Sequence, residues 1–342
     1  MSKNPKQKQK KKQSQVTKKE EIKNTYPFFT HLDKTTVVLA DKSVYPFVEK
    51  MGILMSTYQI IGANARSVGV INCIIEWAKV ADKSQLMPSL NHQLNYINSC
   101  RTFGISIGNT VRFIKNVVNK HSKVFNRLEV QESLENYKDN RIYKAMDQIQ
   151  LNMKKNLMPF DVILIHGKSS TVLSILKSCI SLKLKVIIVN SEPLNEGLAM
   201  SIELNKLQII NEVIDISSCS DAVALCDKVV LGAHAMLANG SLISRSGSGI
   251  IATVAKFYCK PVVVCCETYK FSDKIYLDSI SWNELYSMET NPPKKAFDSV
   301  NCLYDIVPEP LLSMICSDIG CIPPTSIPVA IREDRQMTLQ YE

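Results

Sequence analysis

Two hydrophobic periods divide the chain. Between residues 45 and 157, apolar positions recur mostly at three- and four-residue steps. Phe47, Met51, Leu54, Met55, Tyr58 and Ile61 form one stripe, which predicts an amphipathic helix. The stretch from Asn64 to Lys79 continues as a second helix, and Val111, Ile114, Val117 and Val118 mark a third. From Leu134 to Leu157 the sequence is polar and strongly charged, with Ile142, Met146, Ile149 and Met153 on one stripe. That pattern predicts a long helix leading into the next domain.

At residue 161 the period changes. Asp161-Val-Ile-Leu-Ile-His-Gly167 is a largely apolar run closed by glycine, as in a strand buried on both faces. Four more such runs follow: Lys185–Asn190, Ile209–Ile216, Lys228–Gly232 and Pro261–Glu267. Helical patterns separate them over Ser169–Cys179, Asn195–Leu204, Asp221–Cys226 and Ser248–Tyr258. Strands alternating with helices of this length predict an α/β protein. An N-terminal helical domain is followed by a doubly wound, Rossmann-like parallel sheet domain. The expected division is 1–24 as a tail, 25–157 as the helical domain and 158–342 as the sheet domain.

Charge changes the picture at one end. The 342 residues carry a formal net charge of +9. The first 24 residues hold nine lysines against Glu20 and Glu21, so seven of those charges sit there and the remaining body is close to neutral. Apart from Met1, that stretch has only Val16 and Ile22 as large apolar side chains, too few to offset the entropy of ordering it. It reads as a disordered solvating tail, with a weak RNA, ribosome or acidic-partner contact as the functional alternative. No run of 18 apolar residues predicts a membrane span, and the N-terminus has no apolar core of a secretory signal. The eleven cysteines are scattered without zinc-ligand spacing. They are expected to be reduced, mostly buried thiols of a cytosolic protein that holds no metal. Cys265 and Cys266 end an apolar strand, where alternation sends them to opposite faces as packing residues.

In doubly wound sheets, ligand chemistry lies beyond the C-terminal strand ends. Here those ends are Gly167-Lys168-Ser169, Asn190-Ser191-Glu192, His234 to Arg245, and Cys266-Glu267. Asn239-Gly240 predicts a tight turn between two short apolar runs. Arg245-Ser246-Gly247-Ser248-Gly249 opens a helix, so bare N–H groups and a guanidinium are placed either to cradle a phosphate or simply to make a turn. His166 and His234 stand at strand ends as general-base candidates or hydrogen-bonded structural residues. No Ser/His/Asp order and no Walker motif accompanies them.

Read together, these stretches resemble one family. It joins the alpha, beta and delta subunits of eukaryotic translation initiation factor 2B to methylthioribose-1-phosphate and ribose-1,5-bisphosphate isomerases. The residues that carry the resemblance are Gly62-Ala-Asn-Ala-Arg66, Gly232-Ala-His-Ala-Met-Leu-Ala-Asn-Gly240, Ser244-Arg245, and Pro261-Val-Val-Val-Cys-Cys-Glu-Thr-Tyr-Lys-Phe271. Asn283-Glu-Leu285, Tyr304-Asp305 and Gly320-Cys-Ile-Pro323 to Ser326-Ile-Pro-Val329 complete it. The similarity spans roughly 27–333 and looks most like the delta branch.

The isomerase members have a catalytic Cys where Gly167 stands, an Asp where His234 stands, and an Arg where Glu192 stands. The resemblance therefore implies a non-catalytic member without a cofactor. A remnant pocket would be formed by Gly167, His234, Asn239, Gly240, Arg245, Ser246 and Glu267. It further implies a regulatory subunit of the guanine nucleotide exchange factor for initiation factor 2. Its partners would be the alpha, beta, gamma and epsilon sister subunits and the alpha subunit of initiation factor 2. Glu49, Met51 and Ile53, together with Cys266, Thr268, Tyr269 and Phe271, resemble subunit-interface elements, as does Pro323 to Val329. A sugar-phosphate isomerase is the alternative reading.

Overall fold

The computed structural model describes residues 38, 40–122, 125–286 and 301–341. The lysine-rich stretch 1–24 lies outside them. Six helices come first: α1 (Pro46–Ser56), α2 (Ala63–Val80), α3 (Leu86–Cys100), α4 (Ile105–Lys120), α5 (Arg127–Tyr137) and α6 (Lys144–Lys154). The first apolar stripe extends to Ile61, but the helix stops at Ser56, because Tyr58 takes a left-handed conformation at φ 55°. The long helix expected from residue 134 begins earlier, at Arg127. It passes through a wide π-type turn over Lys138–Tyr143 before continuing as α6. Trp77 is the largest fully buried side chain of the helical core, and its indole N–H donates to the Ser89 hydroxyl at 3.1 Å.

The parallel unit then follows the predicted alternation: β1 (Val162–His166), α7 (Ser170–Ser178), β2 (Lys185–Asn190), α8 (Glu196–Lys206), β3 (Asn211–Asp215), α9 (Cys219–Leu225) and β4 (Lys228–Gly232). After it come β5 (Ala235–Leu237), β6 (Leu242–Arg245), α10 (Ser248–Phe257), β7 (Val262–Cys265), β8 (Phe271–Ser272), β9 (Tyr304–Val307), β10 (Met314–Ser317), β11 (Gly320–Ile322) and α11 (Ile327–Tyr341). The main sheet runs β11-β10-β7-β4-β1-β2-β3, parallel except for the β10–β11 pair. A second sheet, β8-β5-β6-β9, was not expected. Its strands are two to four residues long, too short to leave a periodic trace.

Strand alternation places the core on both faces of the main sheet. Ile163 and Ile165 pack with α6 and α7 residues on one face, and Leu164 packs with α9 and α10 residues on the other. Cys265 and Cys266 likewise separate, one into each core. The order of strands reverses between β1 and β4, so the crevice for a ligand falls at the C-terminal ends of these two strands.

Candidate functional site

The chain leaves β1 through Gly167, whose φ of 57° favours glycine, and reaches Ser169. The Ser169 hydroxyl accepts from the Val172 N–H at the start of α7. The end of β4 approaches so closely that a Cβ on Gly232 would lie 2.6 Å from the Ser169 Cβ. Gly232→Ala is therefore expected to lower unfolding free energy by about 1–3 kcal/mol through overpacking, measurable by denaturant titration. Over this crossing point lies a cleft bounded by Gly62 to Asn64 of the α2 start, Lys168, His234, Arg245, Lys270 and Tyr304.

The charges around the cleft are paired within the chain. Arg245 makes a bidentate pair with Glu196, Nε to Oε2 at 2.5 Å and Nη2 to Oε1 at 3.1 Å. The Asp305 carboxylate accepts from the N–H groups of Gly247 at 2.6 Å and Gly249 at 3.1 Å. Of the two readings of this stretch, the geometry favours the turn, because an internal carboxylate occupies the N-terminal end of α10, where a phosphate would sit. Ser246 donates its N–H to the Leu303 carbonyl at 3.1 Å and lines a smaller recess beside Gly167 and Glu192. Asn239 and Gly240 do not reach the cleft. They close the β5–β6 hairpin, with Gly240 at φ 76° and tight against the Pro324 carbonyl. Three strand residues carry the turn about 10 Å away from the crossing point.

Glu267 is fully buried at the seam between the helices and the sheet. It accepts from the Thr171 hydroxyl at 2.6 Å and from the Asn64 amide at 2.7 Å, and it pairs with Lys270 Nζ at 2.5 Å. Burial alone would raise its pKa. The Lys270 charge and the hydrogen bonds outweigh that and hold the carboxyl below its ordinary range. The Tyr269 hydroxyl donates to Asn64 Oδ1 at 2.6 Å and completes the network. Arg101 pairs with Glu284, also buried. Arg66, buried as well, donates to the Tyr304 hydroxyl at 3.0 Å.

Both strand-end histidines, His166 and His234, are buried. Burial, and secondarily Arg245, lowers His166 to about 4. Its ring nitrogens meet the hydroxyls of Ser248 and Ser191, each at 2.9 Å, which is the structural role. His234 stacks on Trp282 and lies tilted on Tyr304. Burial, followed by Arg66, Arg245, Lys270 and Arg101, holds its pKa well below 6.5.

The expected interface residues divide sharply. Met51, Cys266, Thr268, Tyr269 and Phe271 are all buried within their own chain. The helical layer closes over the last of these, with the Asn109 amide donating to the carbonyls of Tyr269 and Phe271 at 3.0 and 2.9 Å. Their side chains pack inside the chain. Ile53 is exposed and Glu49 half-buried. Sequence reasoning missed the carboxylates Asp305, Glu196 and Glu284 as partners of the site's cations. The signal for Asp305 was a charge inside the short apolar run Tyr304–Val307. Among the described residues, no group of three or more His, Cys, Asp or Glu is placed to hold a metal, and no helix is long and apolar enough to cross a membrane.

Known proteins resemble this chain in sequence and in fold. The delta subunit of translation initiation factor eIF2B from Dictyostelium discoideum is 30% identical over 322 residues, covering 86% of this chain and 52% of that protein. This chain thus spans about half of that relative's length. The delta subunit from Schizosaccharomyces pombe is also 30% identical, over 347 residues, covering 90% of this chain and 73% of the relative. The crystal structure of the tetrameric eIF2B beta2–delta2 complex from C. thermophilum superposes with a TM-score of 0.77 at 23% identity. It covers 85% of this chain and 97% of the matched chain, a likeness of fold. Residues 59–324 match the model of the initiation factor 2 subunit family, and the chain belongs to that family.

Proposed function

We propose that this protein is a non-catalytic regulatory subunit of the guanine nucleotide exchange factor for translation initiation factor 2, working in the cytosol. The observation that carries the reading is 30% identity to eIF2B delta subunits across most of the chain. In this reading it assembles with beta, alpha, gamma and epsilon sister subunits and recognises the alpha subunit of initiation factor 2 through its helical domain. Glu49 and Ile53, at the surface of α1, remain available for an interface, whereas Met51, Cys266, Thr268, Tyr269 and Phe271 pack inside the chain.

The cleft supports the absence of catalysis. Moving a proton between adjacent sugar carbons needs an acid/base pair of matched pKa. Gly167 has no side-chain proton, His234 is a buried neutral ring, and Glu267 is locked in an ion pair. The helix end that would take a phosphate already holds Asp305.

Co-expression with the beta subunit, followed by mass measurement of the intact assembly, tests the reading. A stable hetero-oligomer is expected, and its affinity for the phosphorylated and unphosphorylated alpha subunit of initiation factor 2 should differ. Recovery solely as a monomer or homodimer would overturn it. Incubation of the purified assembly with ribose 1,5-bisphosphate or methylthioribose 1-phosphate is expected to give no isomer. Turnover of either would restore the enzyme reading.

A further inference from the structure

Three thiols stand side by side at one edge of the seven-stranded sheet. The edge strand is β11, followed by β10 and β7. The register sets Cys321 opposite Cys316 in the antiparallel pair and Cys316 beside Cys265 in the parallel pair. Cys316 and Cys321 share a face. The Cys316 thiol points at the Ile149 carbonyl at 3.8 Å and the Cys321 thiol at the Asn152 carbonyl at 4.0 Å, nearly one turn further along α6. The Cys316 sulfur is flanked by both of the other thiols. Cys265 and Cys316 are fully buried and Cys321 is exposed. Packing alone does not require a thiol on the solvent side of this row.

We propose that Cys321 and Cys316 form a reversible disulfide by exchange with a small anionic disulfide of the glutathione type, with Cys321 as the point of entry. Directly opposed residues of an antiparallel pair have Cα atoms about 4.5–5.5 Å apart, within the range of about 4.4–6.8 Å that a disulfide spans. The register therefore places the two thiols in reach of one another.

In the first step the Cys321 thiolate attacks one sulfur of the small disulfide. A mixed disulfide forms and one small thiol leaves. The Cys316 sulfur then attacks the Cys321 sulfur, closes the protein disulfide and releases the second small thiol. Two electrons pass from the protein to the reagent, and the two cysteine protons end on the two released thiols. The exposed Lys154 and Lys155 lie at the end of α6, and Lys155 is close enough to Cys321 to favour its thiolate and attract an anionic reagent. Burial and the neighbouring Cys316 nevertheless push the Cys321 thiol up to about 11, so the exchange is slow at neutral pH.

The staple has a structural address. The turn between β10 and β11 carries Asp318, whose carboxylate accepts from the N–H and the hydroxyl of Thr268, each at 2.7 Å. Thr268 adjoins Glu267, so the disulfide would fix the hairpin that braces the seam between helices and sheet.

The test is incubation of the full chain with glutathione disulfide at mildly alkaline pH, followed by intact mass and peptide mapping. The expected product has lost two hydrogens, carries a Cys316–Cys321 cross-link and returns to the starting mass with dithiothreitol. Cys321→Ser should abolish the cross-link and leave Cys316 alkylatable after unfolding. Cys316→Ser should instead leave Cys321 as a stable glutathione adduct. Because Cys321 is exposed, its variant keeps the test sound if Cys316→Ser does not fold. A stable glutathione adduct on Cys321 in the unmodified sequence would overturn the proposal. So would a cross-link to Cys265, a link between two chains, or no change.

Discussion

Glu267→Ala is expected to lower the free energy of unfolding by about 3–5 kcal/mol, the cost of leaving one member of a buried ion pair without its partner. The Lys270 side chain is 4% exposed and Glu267 is 0% exposed, so water cannot replace the lost carboxylate. Thr171 and Asn64 would also lose their acceptor, and each unsatisfied buried donor adds to the loss. Glu267→Gln should cost nearly as much, because it preserves shape but leaves the Lys270 charge uncompensated. The double substitution Glu267→Leu with Lys270→Met should recover much of the stability, since a buried pair replaced by apolar groups of similar volume is often close to neutral. Denaturant unfolding at neutral pH measures all three. A loss below about 1 kcal/mol for Glu267→Ala would mean that Lys270 reaches solvent by rearrangement. Asn64 belongs to α2, Thr171 to α7 and Lys270 to the segment after β7. One carboxylate joins the helical part to both flanks of the strand ends.

Acidification from pH 7 to pH 5 is expected to destabilise the protein by about 2 kcal/mol through His166 alone. In the unfolded chain the imidazole titrates near 6.5, and in the folded chain burial holds it near 4. Between these values the unfolded state binds the extra proton, so falling pH favours unfolding. The effect is absent above 6.5, grows as pH falls toward 4 and is constant below. His234 adds a contribution of the same sign, because burial and four neighbouring cations depress it further. Carboxylates titrate mainly below this window, so the slope between pH 7 and 5 reports the histidines. Unfolding free energies of the unmodified protein and His166→Gln, compared at both pH values, isolate the His166 share. An identical pH slope in the two proteins would show that His166 titrates in the fold as it does in the unfolded chain.

Both effects depend on burial that no single sequence displays. The apolar runs 161–167, 185–190, 228–232 and 261–267 were legible as strands, because a strand buried on both faces must be apolar along its length, whereas 209–216 holds the half-exposed edge strand β3. The helices between them were legible because one buried stripe repeats every three to four residues. The second sheet was not, since strands of two to four residues hold too few alternations to define a period.

The candidate site divides in the same way. Gly167, His234 and Arg245 were placed at strand ends by the alternation of elements, and the structure brings them to one crossing point. Asn239 and Gly240 form the expected turn and lie away from the cleft, because direction in space depends on how a hairpin leaves the sheet. Cys266, Thr268, Tyr269 and Phe271 resemble interface elements in sequence, yet Cys266 packs into the sheet core and Asn109 of α4 holds the carbonyls of Tyr269 and Phe271.

The amino-acid sequence by itself determined the periods, hence the helical part, the parallel sheet and the family likeness carried by local motifs. These are short-range properties, fixed by which side chains must leave water every second or every third to fourth residue. The tertiary structure alone decided which charges neutralise one another. Glu196 meets Arg245, Asp305 caps the start of α10, and Glu284 meets Arg101, across separations of 49, 58 and 183 residues. Such pairings depend on where the folded chain brings distant carboxylates. They turn a stretch that reads as a phosphate cradle into an internally neutralised seam.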